Sequence, residues 1–368
     1  LAVSPDGTRV AEIHRISTGK MVQNAYAGST VMEEPVLTIY QVAGHGVVFS
    51  KLLTQVACAD SLAWGVSFSP DGQLIVLRGI SGIYTNDQGT PSSFDICVIS
   101  AVDGRLIQRM QVGSDVSNRT PALFLPDGQH IVAAVHNDQG ETSQVRIYEI
   151  ASGQVSQSYD SQGGGITGMA LSGDGQWLAL AEQGGVQVIA LGGGSGTWIS
   201  DSGLPFNTLA FSPDGMTLAL GTQDGRVGLW QVPNGAQVWE NASLKLMNLE
   251  FGEQESTISD LTFSPDGKTI YSLITSPVLK TSNLVRAVQA VDGQEIFRVY
   301  GRNSMVRAQL SPDASWVVFG GYPDGEVQLW SVAENRRVRE LLGHAGMVMD
   351  AVFSPDGRHA LSASHDST

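Results

Sequence analysis

Gly163-Gly164-Gly165-Ile166-Thr167-Gly168 satisfies the GxGxxG spacing that wraps a dinucleotide pyrophosphate when it follows a strand and opens a helix. Here the glycines precede a short apolar run, Ile166 to Leu171, that reads as a strand, so they mark a connection and not a cofactor site. Gly267-Lys268-Thr269 has the end of a phosphate-binding loop, but Thr262 stands where that loop needs its first glycine. Seven histidines, at 14, 45, 130, 136, 344, 359 and 365, show neither HExxH nor paired spacing, which leaves zinc without a ligand set. His136, Asp138 and Glu141 are the densest polar group and read as a solvated loop. No GxSxG nucleophile elbow is present. The expectation is therefore no catalytic, cofactor-binding or metal-ligating residues, and a protein that is not an enzyme.

Regularly spaced aspartates are the remaining candidates: Asp6, Asp71, Asp127, Asp174, Asp214, Asp266, Asp313 and Asp356. Their spacing is too regular for one site. Successive separations are 65, 56, 47, 40, 52, 47 and 43 residues, close to or above the ~40–45 of a four-stranded repeat. Most sit in Ser-Pro-Asp-Gly between two short apolar runs, with Leu125-Pro126-Asp127-Gly128, Ser172-Gly173-Asp174-Gly175 and Ser311-Pro312-Asp313-Ala314 as variants. Pro presets φ for a type I turn, Asp tolerates the next position, and Gly takes the left-handed conformation that closes a bulged hairpin. The aspartates belong to hairpin turns.

The repeat around Asp214 shows the unit whole. Phe206 to Phe211 and Met216 to Leu220 flank the turn, Arg226 to Val232 follows Gln223-Asp224-Gly225, and Ala236 to Glu240 follows Pro233-Asn234-Gly235. These are four strands, a to d. In strand c, Val227 and Leu229 oppose Trp230 and Val232, so apolar residues occupy both phases and both faces must be covered. The chain resembles a WD-repeat β-propeller of the bacterial type, with divergent repeats. Asp224 with Trp230 and Asp324 with Trp330 match that family's turn Asp and strand-c Trp. Gly343-His344, Ser364 and Asp366 match its Gly-His, strand-b hydroxyl and turn Asp. In the family these form a buried hydrogen-bonded tetrad, so the resemblance implies structural roles for His344, Ser364, Asp366, Asp224, Trp230, Asp324 and Trp330. Other repeats lack the Trp and carry Tyr40, Val98 and Tyr148 there.

The expected fold is all-β: one propeller domain over 1–368 built of four-stranded blades, in eight repeats with the last half present, or in seven blades plus an extra hairpin. The eighth repeat shows strands a and b alone, so strands from beyond Thr368 or before Leu1 are expected to complete it. Charged residues are 15% and glycines number 43, which suits a turn-dense all-β chain. A net charge of −15 with no Lys/Arg run longer than Arg336-Arg337 argues against nucleic acid as a partner. No apolar run approaches the ~18 residues of a membrane span. Cys58 and Cys97 are too few for a disulfide framework and are expected as half-buried thiols. Five lysines and a polar, uncharged surface suit an exported bacterial protein, with the cytoplasm as the alternative.

Extra length falls in the b–c and d–a connections: Ser17 to Pro35, Gln55 to Leu62, Ile80 to Ser93, Gly113 to Thr120, Asn241 to Thr257 and Thr275 to Asn283. In a propeller those connections emerge on one face, and long loops on a rigid scaffold are where binding resides. Candidate partner-binding residues there are Met21, Tyr26, Glu33, Glu34, Tyr84, Arg119, Met247, Phe251, Arg302 and Met305, types enriched at interfaces apart from the two glutamates. The resemblance implies a non-catalytic protein-interaction scaffold or accessory subunit without a cofactor. The rival class is a propeller enzyme or small-ligand protein with its site at the axial channel mouth.

Overall fold

In the computed structural model the described residues are all but 1, 25–27, 43–45, 56, 57, 59–61, 82–92, 113–121, 137–142, 195, 201–204, 243–245, 249–251, 255, 276–283, 301–303, 314, 323, 324, 335, 355, 365, 367 and 368. Among them there is no helix, and seven antiparallel four-stranded sheets follow one another along the chain. Two compact units, Leu1–Ser161 and Gln162–Thr368, divide them. In the first unit lie a blade of Ala2–Val3, Arg9–Asn24, Gly28–Gln41 and Val47–Leu52 and the blades over 62–111 and 123–160. The second unit holds the blades over 168–200, 206–240, 257–300 and 304–341. It also holds a small hairpin, Leu246–Asn248 with Gly252–Gln254, and a final hairpin, Val348–Phe353 with Ala360–Ser364. This is the alternative of seven blades with an extra hairpin, the eighth repeat being the last hairpin.

Every a–b turn but the third blade's is built by its serine as much as by the turn residues that follow it. Ser4 Oγ donates to Asp6 Oδ1 at 2.5 Å and accepts from Arg9 N at 2.9 Å, while Asp6 Oδ1 accepts from Thr8 N at 3.0 Å. The same three bonds recur at Ser69, Ser172, Ser212, Ser264, Ser311 and Ser354, all of them buried. In the third blade Leu125 replaces the serine, and His130 Nδ1 takes its place at 2.7 Å from Asp127 Oδ2. Neighbouring turns also touch: a β-carbon on Gly72 would lie 3.6 Å from Pro5 Cδ, and one on Gly267 3.6 Å from Pro213 Cδ.

The Ser-to-Asp bond, followed by the backbone amide two residues on, holds the carboxyls of Asp6, Asp71, Asp174, Asp214, Asp266, Asp313 and Asp356 below the usual carboxylate range, Asp6 at about 2. A carboxyl depressed in the folded state contributes stability that is present above its unfolded pKa, ~3.9, and is lost as pH falls through the folded value. The urea midpoint is therefore expected to hold from pH 6 to 5 and then to fall steadily between about pH 4 and 2. A midpoint flat across that window would refute the role given to these turns.

Within each unit, apolar clusters fill the spaces between successive blades. Ala11, Leu37, Ile39, Ile75, Leu77 and Ile99 join the first two blades. Leu218, Leu220 and Trp230 pack on Ala179, Val186 and Ile199 between the fourth and fifth, and Val285 and Phe297 meet Val317 and Phe319 between the sixth and seventh. Strand c thus buries both faces, as its two apolar phases require. In the first, third and fifth blades a strand-c bulge fixes where the aromatic sits: Tyr40 opposes Val47, Tyr148 opposes Val155 and Trp230 opposes Gln237. In the second blade the bulge places Ile99 opposite Leu106, so Ile99 and not Val98 occupies that position.

A second interlock lies at the c–d turns. Gly104 has φ +67°, and a β-carbon on it would come within 2.6 Å of the Phe49 ring on strand d of the preceding blade. Gly293, at φ +72°, meets the Trp239 indole in the same way at 2.7 Å, and Trp239 Nε1 donates to Ala290 O at 2.9 Å. Gly104→Ala is expected to cost about 1–2 kcal/mol from the positive φ alone, and more from displacing Phe49. Adding Phe49→Ala should then cost less than it does in the parent, by a double-mutant cycle in urea.

Cys58 and Cys97 are not half-buried thiols. They form a disulfide with a Cα separation of 5.8 Å, and both are fully buried. The connection after strand d of the first blade folds back onto strand c of the second, a meeting that only the tertiary fold creates.

Candidate functional site

Strands b and c of the first blade run on past their neighbours. Strand a pairs only at Ala2↔Ala11 and Val3↔Val10, and strand d only from Val36↔Leu52 to Tyr40↔Val47. Strands b and c stay paired from Arg9↔Gln41 through Arg15↔Pro35 and Met21↔Val31 to Asn24↔Gly28, with one register shift between Ser17 and Met21. The stretch Ser17 to Pro35, expected as a loop, is a two-stranded arm. At ~3.3 Å per residue it extends on the order of 25–30 Å beyond the four-stranded part. Its β-branched residues Ile16, Val22, Thr30 and Val31 explain how a segment that also holds Gly19, Lys20 and Pro35 stays extended.

Met21 and Glu33 lie on this arm, Glu33 opposite Ser17. Glu34 stands at its root but is not a surface residue: it is buried, and its Oε2 accepts from Thr54 Oγ1 at 3.1 Å. Beside it Leu53 N donates to Pro35 O at 2.9 Å. The connection after strand d thus buttresses the arm, which corrects the reading of Glu34 as partner-binding. Met247 falls in the small hairpin, opposite Glu253, where a loop was expected. Met305 lies in strand a of the seventh blade, opposite Gly321, and not in a connection. Tyr26, Tyr84, Arg119, Phe251 and Arg302 lie outside the described residues.

The tetrad-like residues divide by blade. In the final hairpin His344 Nδ1 is 3.2 Å from Asp366 Oδ2, and Ala345 N donates to the same oxygen at 2.6 Å. The hydroxyl on His344 Nε2 is that of Ser362, at 2.8 Å, and not that of Ser364, whose Oγ accepts from Asp366 N at 3.2 Å. Ser362 and Ser364 share a strand face two residues apart, which sequence alone does not distinguish. In the fifth blade the Asp224 carboxylate binds Thr222 Oγ1, with Arg226 Nε at 2.9 Å from Oδ2, and Arg226 Nη1 reaches Glu240 Oε1 at 2.9 Å. Burial raises the Asp224 pKa, but these bonds outweigh it and leave the carboxyl below its usual range. Trp230 meets Phe206 edge-on at 5.6 Å. Trp330 Nε1 donates to Gln328 Oε1 at 3.1 Å, and Asp324 lies outside the described residues.

Among the described residues no three or more His, Cys, Asp or Glu are grouped to hold a metal ion, and no helix is long and apolar enough to cross a membrane. What the arm offers is backbone hydrogen bonding along an extended ribbon and mixed apolar and charged side-chain types.

The family model "WD domain, G-beta repeat" matches residues 196–231 and 335–368. The chain is 25% identical over 233 residues to the periodic tryptophan protein 2 homolog of Dictyostelium discoideum, covering 61% of this chain and 23% of that protein. It is 30% identical over 151 residues to WD repeat-containing protein 82 of Drosophila melanogaster, covering 40% of this chain and 44% of the relative. These matches thus span less than half the length of either relative. The crystal structure of the Myceliophteria thermophila Cps50 (Swd1) β-propeller domain superposes with a TM-score of 0.58 at 13% identity, covering 83% of this chain and 93% of that one. At that identity the likeness is one of fold.

Proposed function

The chain belongs to the WD-repeat β-propeller family, and from that premise we propose that it is a non-catalytic scaffold, or an accessory subunit, that engages a protein partner through its b–c and d–a connections, the arm of the first blade foremost. The observation that carries this is the arm: a rigid blade holds a two-stranded ribbon whose pairing continues to Asn24↔Gly28 after its flanking strands have ended. Preordering of that kind lowers the entropy cost of association. The buried Cys58–Cys97 bond supports a location in an oxidising compartment outside the cytoplasm.

The protein isolated from its native source after brief crosslinking should carry a stoichiometric partner, with crosslinks from Lys20 on the arm. Replacing 17–33 by an Asn-Gly turn should abolish that partner and leave the thermal transition within a few degrees of the parent. Isolation as a monomer without a partner, or a partner retained in full by the shortened protein, would overturn the assignment.

A further inference from the structure

The arm's root is held by the short connection that carries Cys58. Leu53 N donates to Pro35 O, Thr54 Oγ1 donates to Glu34 Oε2, and Cys58 N donates back to Leu53 O at 3.0 Å. Leu53 and Cys58 are fully buried in the cluster between the first two blades, where Cys58 is tied to Cys97 on strand c of the second blade. A covalent tie to a central strand, the Cys58 N to Leu53 O hydrogen bond and two further hydrogen bonds therefore run in series to Glu34 and Pro35. We infer that Cys58–Cys97 is a redox clasp on the root of the arm: closed, it fixes Leu53 and Thr54 against Pro35 and Glu34; opened, it loosens the arm's root while both units stay folded.

The chemistry closes without a bound cofactor. One thiolate of the pair attacks the disulfide of a thiol–disulfide oxidoreductase and releases one of its sulfurs as thiolate. The second thiolate then attacks the mixed disulfide and releases the other, so two electrons end on the donor's dithiol. A dithiol reductant runs the exchange backwards. Because both half-cystines are fully buried, attack requires the connection to open first, which keeps the clasp closed against weak reductants. As regulation of the arm this rests on the scaffold reading, but its test uses no partner, so the two can fail separately.

The native protein, denatured without reductant and alkylated, should gain no adduct, and should gain two after reduction. Two adducts before reduction would overturn the clasp. Hydrogen exchange of oxidised protein is then compared with that of protein opened by dithiothreitol or, where the bond resists, by Cys58→Ser. Exchange should rise at least tenfold in peptides containing Leu53 and Cys58 and at Val36 in the arm's root, with the fifth blade unchanged. Thr54→Val, which leaves the disulfide intact, should reproduce the rise at the root alone. Unchanged exchange at the root on opening, or a rise spread evenly over 1–161, would show a plain staple and refute the coupling.

Discussion

Trp230→Ala is expected to destabilise the second unit by about 3–5 kcal/mol, the cost of emptying a large buried aromatic site. Trp230 is 5% exposed, meets Phe206 edge-on and fills the space against Ala179, Val186 and Ile199 of the preceding blade. Its ring lies back over Gly228, where a β-carbon would stand 2.5 Å from the indole. The Asp224 carboxylate is held by Thr222 and Arg226, and Arg226 keeps Glu240 as a second anion. Apolar burial between the fourth and fifth blades is thus what the Trp230 position is expected to contribute. Asp224→Asn should cost only about 1 kcal/mol, and Trp230→Phe far less than Trp230→Ala. Urea unfolding followed by circular dichroism separates the three. Equal losses for Asp224→Asn and Trp230→Ala would show that a network does the stabilising.

Local rules wrote most of the fold into the sequence. Pro-Asp-Gly turns and two-phase apolar strands act within a few residues, so the blades were legible from Ser69-Pro70-Asp71-Gly72 or Phe206 to Glu240 alone. The serine's double bond, to Asp and to the amide five residues on, was present in every Ser-Pro-Asp-Gly copy but is visible only once the hairpin is closed. Register is harder. Ile99 displaces Val98, and Ser362 displaces Ser364, because a bulge or a two-residue step along one strand face changes which side chain arrives and leaves no mark in composition. The arm was read as a loop because Ser17 to Pro35 is extra length in a b–c connection. Its strands persist because they pair with each other, information spread across Arg15↔Pro35 to Asn24↔Gly28. Glu34 was placed outside because it falls in that same connection. Its partner, Thr54, comes from a different connection.

The Cys58–Cys97 bond could not be read from two cysteines 39 residues apart, and that same separation sets the size of its effect. Closing a loop of that length removes entropy from the unfolded chain worth about 4 kcal/mol at 25 °C. Changing both residues to alanine is therefore expected to lower the first unit's calorimetric transition by roughly 8–16 °C, and the second unit's not at all, since both half-cystines lie within Leu1–Ser161. The parent, fully reduced, should fall to nearly the same temperature, because alanine leaves only small voids where two sulfurs were. A drop in both transitions would mean that the bond supports the whole chain. A drop under about 2 °C would mean that the unfolded chain is already constrained near these residues, so that loop closure is not the source of the bond's effect. The middle outcome, a large loss confined to one unit that nonetheless remains folded, is what a clasp on the arm requires. It would also make the stability of the first unit, and no other part of the molecule, a direct report of the redox conditions around it.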